Sequence, residues 1–423
     1  GLENLSHRGQ ESWGIVSALK DGSFQEARGL GSIFQASGLG RSYFGSVAIG
    51  QVRYPTAGET NERNSQPIVG SFGKERIAVV HNGHIPGYKR LVEELGGLFQ
   101  TETDTEVILQ EIARMEGEDL LEKMEKTLRF LGRQAAFSII ILHDGKLIAA
   151  RDPFGFRPLS IARRGEEGDY TWALASETCA FHGQFEWIGD VEPGQMVVLD
   201  GESMKTVSFA DPDPHPCIVE CLDYASPASR VFSRGCYEFR EKIGAELAKT
   251  ETEKADIVVP IPRAAIPAAL GFHDTAGIPF KVAISTVGEI GRVFIISKEK
   301  DRFAQAEKKF QVNGELVKGK EVFLIDSLLV RGSTAMVLIP KLREAGATKI
   351  HMRLTAPPPR FPCHMGMAMA KPGELLAGNR DDEQLRKLIG ADTFRYMTIE
   401  ELKGLMGTQF CDACFTGKYP FSV

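Results

Sequence analysis

The second half of the sequence alternates short apolar runs with helical stretches, and few folds accommodate that order. ADIVVPIP reads as a buried strand, AAIPAALGFHDTAG as a helix ended by glycine, and IPFKVAIS as a second strand. KEVFLIDSLLV, a helix from about Ser333 to Ala345 stopped by Gly346, and KIHMRLTAP repeat the scheme. Strands joined through helices by short loops must run the same way, so this half is expected to form a mainly parallel sheet with crossover helices. Ligands of such sheets sit beyond the carboxyl ends of the strands, here Pro260 to Ala265 and Asp326 to Thr334.

Residues 1 to about 210 follow another pattern. AFSIIILHDGKLIAAR is two β-rich runs around an Asp144-Gly145 turn, and EPGQMVVLDG is a strand closed by glycine. Helices are expected from Asp104 to about Arg114 and within Glu116 to Leu131, and GLENLSHRGQES reads as a helix at the start. This is α+β with mainly antiparallel pairing. DPDPHP, with three prolines in six residues from Asp211, removes backbone donors and forbids helix, so the expected domains are 1–210 and 211–423.

Composition narrows the function classes. The 50 Lys and Arg against 56 Asp and Glu give a net charge of −6 with no basic run, which speaks against nucleic acid. No apolar run approaches the roughly 18–20 residues of a membrane span. Seven cysteines are too sparse for a disulfide scaffold, and with no secretory leader apparent the expected compartment is the cytoplasm. All cysteines lie at or beyond Cys179. Cys411 and Cys414 form CDAC, a spacing that lets two thiolates share a metal centre but is common to redox pairs and zinc clips, and Cys217 and Cys363 follow prolines as further candidate ligands.

Four polar motifs interrupt the first half: HRGQES (7–12), VRYPTAG (52–58), HNG (81–83) and TDTE (103–106). Asn82 and Gly83, after the apolar IAVV, can offer a side-chain amide and a backbone N–H to a developing oxyanion. Arg53 can pair bidentately with a carboxylate, and Asp104 can hold an ammonium group. Taken singly, each also fits a plainer role: a turn, a surface ion pair, a helix N-cap.

Taken together and in this order, and continued by AARDPFGFRPL (149–159), ASETCAF (175–181) and DVEPGQ (190–195), the motifs resemble the glutaminase domain of class II glutamine amidotransferases. Over nearly its whole length the chain is identified as a member of the amidophosphoribosyltransferase family. The resemblance implies an Ntn-hydrolase-type four-layer sandwich followed by an α/β phosphoribosyltransferase-type domain. It places glutamine on Arg53 and Asp104, and the oxyanion on Asn82 and Gly83. It also implies an N-terminal cysteine nucleophile whose α-amine serves as base. The sequence opens at Gly1 without that cysteine or its strand, so either an N-terminal piece of some tens of residues precedes it, which is the expectation, or the chain has no nucleophile; Cys179 matches a position with no catalytic role.

The family's phosphoribosyl loop reads two acids, a Ser, two apolar residues, then Arg-Gly-Thr-Thr. Here Asp326 is followed by Ser327 and Leu328, while Arg331, Gly332, Ser333 and Thr334 keep the phosphate-cradling end. The pyrophosphate loop, Pro-Asp-Ser-Gly in the family, is Pro262, Arg263, Ala264, Ala265. A loop expected as Lys-Asn-Arg-Tyr is Thr286 to Glu289, and Ala368 replaces an Asp. These changes imply an altered site that has lost ordinary phosphoribosyl pyrophosphate (PRPP) transfer, with Mg²⁺ only if PRPP is bound. In one branch of the family the four cysteines Cys217, Cys363, Cys411 and Cys414 ligate a [4Fe–4S] cluster, which the resemblance extends to this chain. The expected function is glutamine binding and, given an N-terminal cysteine, hydrolysis that supplies ammonia. The expected partners are glutamine, a phosphorylated small molecule and further copies of the chain in a dimer or tetramer. Two rival readings are an active purine-pathway enzyme with an unusual PRPP pocket and a non-catalytic iron–sulfur scaffold or sensor.

Overall fold

The computed structural model describes residues 1–36, 45–54, 57–73, 75–287, 299–369, 372–407 and 409–422. The first half runs β1 (Ser12–Ala18), β2 (Phe24–Leu30), β3 (Val47–Arg53), β4 (Ile68–Phe72), β5 (Glu75–His84), α1 (Tyr88–Leu95), α2 (Asp104–Arg114) and α3 (Leu120–Leu131). It continues through β6 (Ala136–His143), β7 (Lys146–Arg151), β8 (Ser160–Arg164), β9 (Thr171–Ala175), β10 (Glu186–Asp190), β11 (Gln195–Asp200) and β12 (Ser203–Ser208). A six-stranded antiparallel sheet, β12-β11-β7-β6-β5-β4, is covered by two three-stranded sheets, β2-β1-β3 and β10-β8-β9. The β6–β7 hairpin forms because Asp144 and Gly145 both take positive φ, +47° and +68°, which matches the twist of the paired strands.

Strand alternation sorts the side chains of β5 and β6. Val79, Ile139 and Ile141 face helices α2 and α3, meeting Val107, Ile108, Ile112, Met124 and Leu128. Ala78, Val80 and Leu142 face the opposite way, against Val16, Ala18 and Ile49. The outermost layer is thin, with 3₁₀ turns at Ser6–Arg8 and Thr178–Phe181. The expected helix over GLENLSHRGQES is therefore a series of turns. His7 and Arg8 are drawn to the buried Glu177, and Gly9, whose Cβ would lie 2.5 Å from the Arg53 nitrogen, turns the chain directly into β1.

From Asp211 to Pro216 the backbone has no regular structure, and the amides of Asp213, His215 and Cys217 donate to the carbonyls of Pro153, Phe154 and Phe156. The second half then runs β13 (Arg230–Val231), β14 (Arg234–Gly235), α4 (Cys236–Lys249), β15 (Ile257–Pro260), α5 (Ile266–Ala276), β16 (Ile284–Thr286), α6 (Glu299–Lys309), β17 (Phe310–Val312) and α7 (Gly314–Val317). It ends with β18 (Glu321–Asp326), α8 (Ser333–Glu344), β19 (Lys349–Leu354), α9 (Asp382–Ile389), β20 (Thr393–Tyr396), α10 (Ile399–Met406) and α11 (Ala413–Thr416). Strands β15-β18-β19-β20 form the expected parallel sheet. IPFKVAIS departs from expectation: it makes one parallel bridge, Phe280 to Val258, then leaves the sheet at the exposed Val282 and pairs antiparallel with β17. Among the described residues no helix is long and apolar enough to cross a membrane.

Candidate active site

A cavity of about 420 Å³ opens between the outer edges of β3 and β9, floored by β5 and β6. Arg53, His81, Asn82 and Gly83 line it, so three of the four residues expected to handle an amide share one wall. Gly83 is demanded by packing, because a Cβ there would lie 2.0 Å from the Ala136 carbonyl oxygen. The backbone of Gly366, from the second half, lies directly on it, since a Cβ at Gly366 would come within 2.5 Å of Gly83. Arg53 donates through Nη2 to the Ala57 carbonyl, while its Nη1 is buried with no hydrogen-bond partner among the described residues. A buried guanidinium nitrogen left in that state suits an incoming carboxylate.

Asp104 stands behind this wall, as the first residue of α2. Its Oδ2 accepts from the Ile85 amide at 3.0 Å and lies 3.1 Å from His84 Nδ1, and its Oδ1 lies 3.8 Å from His81 Nδ1. Burial by itself lifts the Asp104 carboxyl, but His84, His81 and the Ile85 amide outweigh it and hold the group below the usual carboxylate range. Burial depresses His81, against the opposing pull of the Asp104 carboxylate. Cys179 is no substitute nucleophile: burial, then Glu177, push its thiol up to about 11.

A second cavity, about 450 Å³, lies at the carboxyl ends of β15 and β18. Pro262, Arg263, Ala264 and Asp326 to Thr334 line it, as the strand-end rule predicts, together with Lys309 and Asp223. Gly332 takes φ +75° ahead of α8, so the chain turns sharply and the helix starts at the cavity wall. Arg331 is held by Glu374 at 2.7 Å. Burial, then the facing Asp223, push the Asp326 carboxyl up to about 7. Thr286 and Val287 are described, Gly288 and Glu289 lie outside the described residues, and Ala368 packs against the core.

The four cysteines gather at one end of the second half. Cys217 and Cys411 form a parallel bridge, the Cys411 amide donates to the Pro216 carbonyl at 3.0 Å, and the amides of Arg360 and Phe361 donate to the Cys414 carbonyl. The Met365 amide donates to Cys363 Sγ at 3.3 Å. Each of the four thiols is raised by burial, and Cys414 also by the nearby Cys363, Cys217 and Cys411. Among the described residues no three His, Cys, Asp or Glu side chains are close enough to hold a single metal ion.

Residues 55–183 match the model of a glutamine amidotransferase domain. The chloroplastic amidophosphoribosyltransferase of Glycine max is 36% identical, covering 99% of this chain and 74% of the relative. The Bacillus subtilis amidophosphoribosyltransferase is 34% identical, covering 100% and 90%. The chain belongs to the amidophosphoribosyltransferase family. A solved structure of the B. subtilis glutamine PRPP amidotransferase complexed with ADP and GMP superposes with a TM-score of 0.89 at 33% identity, covering 100% of this chain and 93% of that one. That likeness bears out the expected fold class, an amidotransferase sandwich followed by a phosphoribosyltransferase-type domain. The relatives are enzymes, and amidotransferase chemistry is the family's common ground.

Within this amidophosphoribosyltransferase fold, sequence reasoning missed the charged network that joins the halves. Arg8 bonds Glu177 and also Glu220, through Nη1 at 3.0 Å and Nη2 at 2.7 Å. Arg157 Nη2 lies 2.6 Å from Glu220 Oε1, and Arg157 Nε donates to Asn82 Oδ1 at 3.2 Å. Both arginines and both glutamates are buried. Arginine only donates, so this contact fixes which way the Asn82 amide points: Oδ1 toward Arg157 and Nδ2 toward Ser176 Oγ at 3.4 Å. The one available signal was two arginines and two glutamates inside otherwise apolar or small-residue motifs.

Proposed function

We propose that this chain is a glutamine amidotransferase with an altered phosphoribosyl site. Residues 1–210 bind and hydrolyse glutamine, and residues 211–423 receive the ammonia on a phosphorylated sugar. One observation carries the reading: among the described residues β3 and β9 are both edge strands, and their outer edges flank the Arg53, Asn82 and Gly83 cavity. A slot between two strand edges fits one more strand, which would merge the two three-stranded sheets and cover two edges that proteins seldom leave open. A strand carrying an N-terminal cysteine in that slot brings thiol and α-amine beside Asn82 and Gly83. There the amine takes the thiol proton, the sulfur attacks the glutamine amide carbon, and the two nitrogens of Asn82 and Gly83 stabilise the oxyanion. Arg53 Nη1 takes the α-carboxylate, and Asp104, held ionised, attracts the α-ammonium from behind the wall.

In the second site the retained start of α8 supports a phosphate, while Arg263, Ala264 and Ala265 alter the end that would hold pyrophosphate. We assign Mg²⁺ only to the state with PRPP bound, and read the assembly as a homo-oligomer. We assign Cys217, Cys363, Cys411 and Cys414 to a [4Fe–4S] cluster rather than to zinc on the strength of the family resemblance, and the raising of the Cys414 thiol by Cys363, Cys217 and Cys411 supports their lying near one another. Such a cluster would tie Cys217, Cys363 and the Cys411–Cys414 turn together.

The test is ammonia release from glutamine, with and without PRPP, by anaerobically purified protein from the complete gene. Release that PRPP does not change supports the reading. Release that depends on PRPP, with formation of phosphoribosylamine, favours the ordinary enzyme. No release with no N-terminal cysteine leaves an iron–sulfur scaffold.

A further inference from the structure

Ser327 stands where the family pattern carries the second of two acids, so the end of β18 is one carboxylate short. The fold brings another acid to the same place from a different element. Residues Glu220–Tyr224 form a single π turn, closed by the Ala225 amide donating to the Glu220 carbonyl at 2.9 Å, and Asp223 lies within it. Ser327 Oγ donates to Asp223 Oδ1 at 2.6 Å, and the Ser327 amide donates to Asp326 Oδ1 at 2.8 Å. Thr355 Oγ1 donates to the Ser327 carbonyl at 3.1 Å and fixes the residue between the two acids. Asp223 and Asp326 both line the 450 Å³ cavity that the start of α8 also lines.

A serine is shorter than an aspartate, and its hydroxyl supplies the donor that a second strand-end acid would lack. The carboxylate has thus moved from position 327 to position 223, with Ser327 as its anchor. We propose that Asp223 is a substrate-binding residue: with Asp326 it accepts hydrogen bonds from the vicinal hydroxyls of a 5-phosphorylated pentose whose phosphate rests at the start of α8. This rests on reading the cavity as a phosphosugar site. The ligand class that follows is a ribose 5-phosphate unit, distinguished from its 2-deoxy analogue by a hydroxyl that a charged acceptor recognises.

The experiment measures binding of ribose 5-phosphate, 2-deoxyribose 5-phosphate and inorganic phosphate to the intact protein by calorimetry. The wild type is expected to prefer ribose 5-phosphate over the deoxy sugar by about tenfold or more, the scale of one charge-assisted hydrogen bond. Asp223→Asn keeps an acceptor for Ser327 and should lose that preference while binding inorganic phosphate unchanged. Adding Ser327→Asp to Asp223→Asn returns the acid to the strand end and should restore the preference. An Asp223→Asn protein that still discriminates overturns the inference, as does a wild type that binds both sugar phosphates equally. A wild type that binds none of the three probes refutes the phosphosugar reading itself.

Discussion

Replacing Glu220 by Gln tests the joint between the two halves. Glu220 is fully buried, and its two oxygens meet three guanidinium nitrogens at 2.6, 2.7 and 3.0 Å. Burial alone would lift its carboxyl, but Arg157 and then Arg8 outweigh burial and keep it below the usual range. Glutamine conserves the shape but removes the charge and turns one acceptor into a donor facing a guanidinium. Arg8 retains Glu177, whereas Arg157 then has no carboxylate within ion-pair distance among the described residues. Removing one partner of a buried pair costs about 3–5 kcal/mol, and the large number applies because nothing else neutralises Arg157. The assay is denaturant unfolding followed by tryptophan fluorescence, which reports the first half because Trp13, Trp172 and Trp187 all lie there. The depressed pKa sets the sign with pH. The glutamate's contribution is full above its unfolded value of roughly 4.3 and fades as pH falls toward its folded value, so the gap to the variant should narrow by about 1.4 kcal/mol per pH unit in acid. A gap under about 1 kcal/mol at pH 7, or one constant into acid, would refute the argument.

Three further outcomes are expected. Asn82→Ala in protein from the complete gene should lower kcat for glutamine hydrolysis by about 10²–10³ with KM little changed, the signature of a lost oxyanion donor; a change confined to KM in steady-state assays would give Asn82 a binding role instead. Cys411→Ser should strip iron and sulfide from anaerobically purified protein, and stoichiometric iron in that variant by elemental analysis would exclude Cys411 as a ligand. Asp326 binds its proton more tightly folded than unfolded, so the wild type should lose stability as pH rises from about 4 to about 7. Asp326→Asn should flatten that part of the Tm profile, and an unchanged profile would place the titration elsewhere.

The fold was legible where local chemistry decides it. Asp144-Gly145 can hardly be anything but a hairpin turn, and the strand-helix alternation from Ile257 to Leu354 admits little besides a parallel sheet. The errors fall where tertiary contacts override propensity. The start of the chain carries helix-compatible residues, but His7 and Arg8 reach Glu177 at sequence separations of about 170, and one buried carboxylate outbids the intrahelical bonds available to so short a segment. IPFKVAIS has a good strand pattern but finds a better antiparallel partner in β17 after one rung on the sheet. For the site, Arg53, Asn82 and Gly83 could be named because their motifs are local, whereas the bond from Arg157 to Asn82 spans 75 positions and left no local trace.

The π turn at Glu220–Tyr224 shows why such features escape a sequence reading and still matter. In an α-helix, residues three apart share a face, so Glu220 and Asp223 would stand side by side as like charges. A π turn carries an extra residue per closed hydrogen bond and splays the two apart. Glu220 then enters the arginine pair that holds Asn82 at the first cavity, and Asp223 enters the serine-anchored acid pair at the second. Nothing in ECLDY announces a π turn, because its register is set by what lies at either end: two guanidiniums from the first half and a serine just past the end of β18 in the second. A five-residue irregularity thereby places one acid in each of the two candidate sites, and both of its acids are fixed by partners the chain supplies from more than 60 residues away.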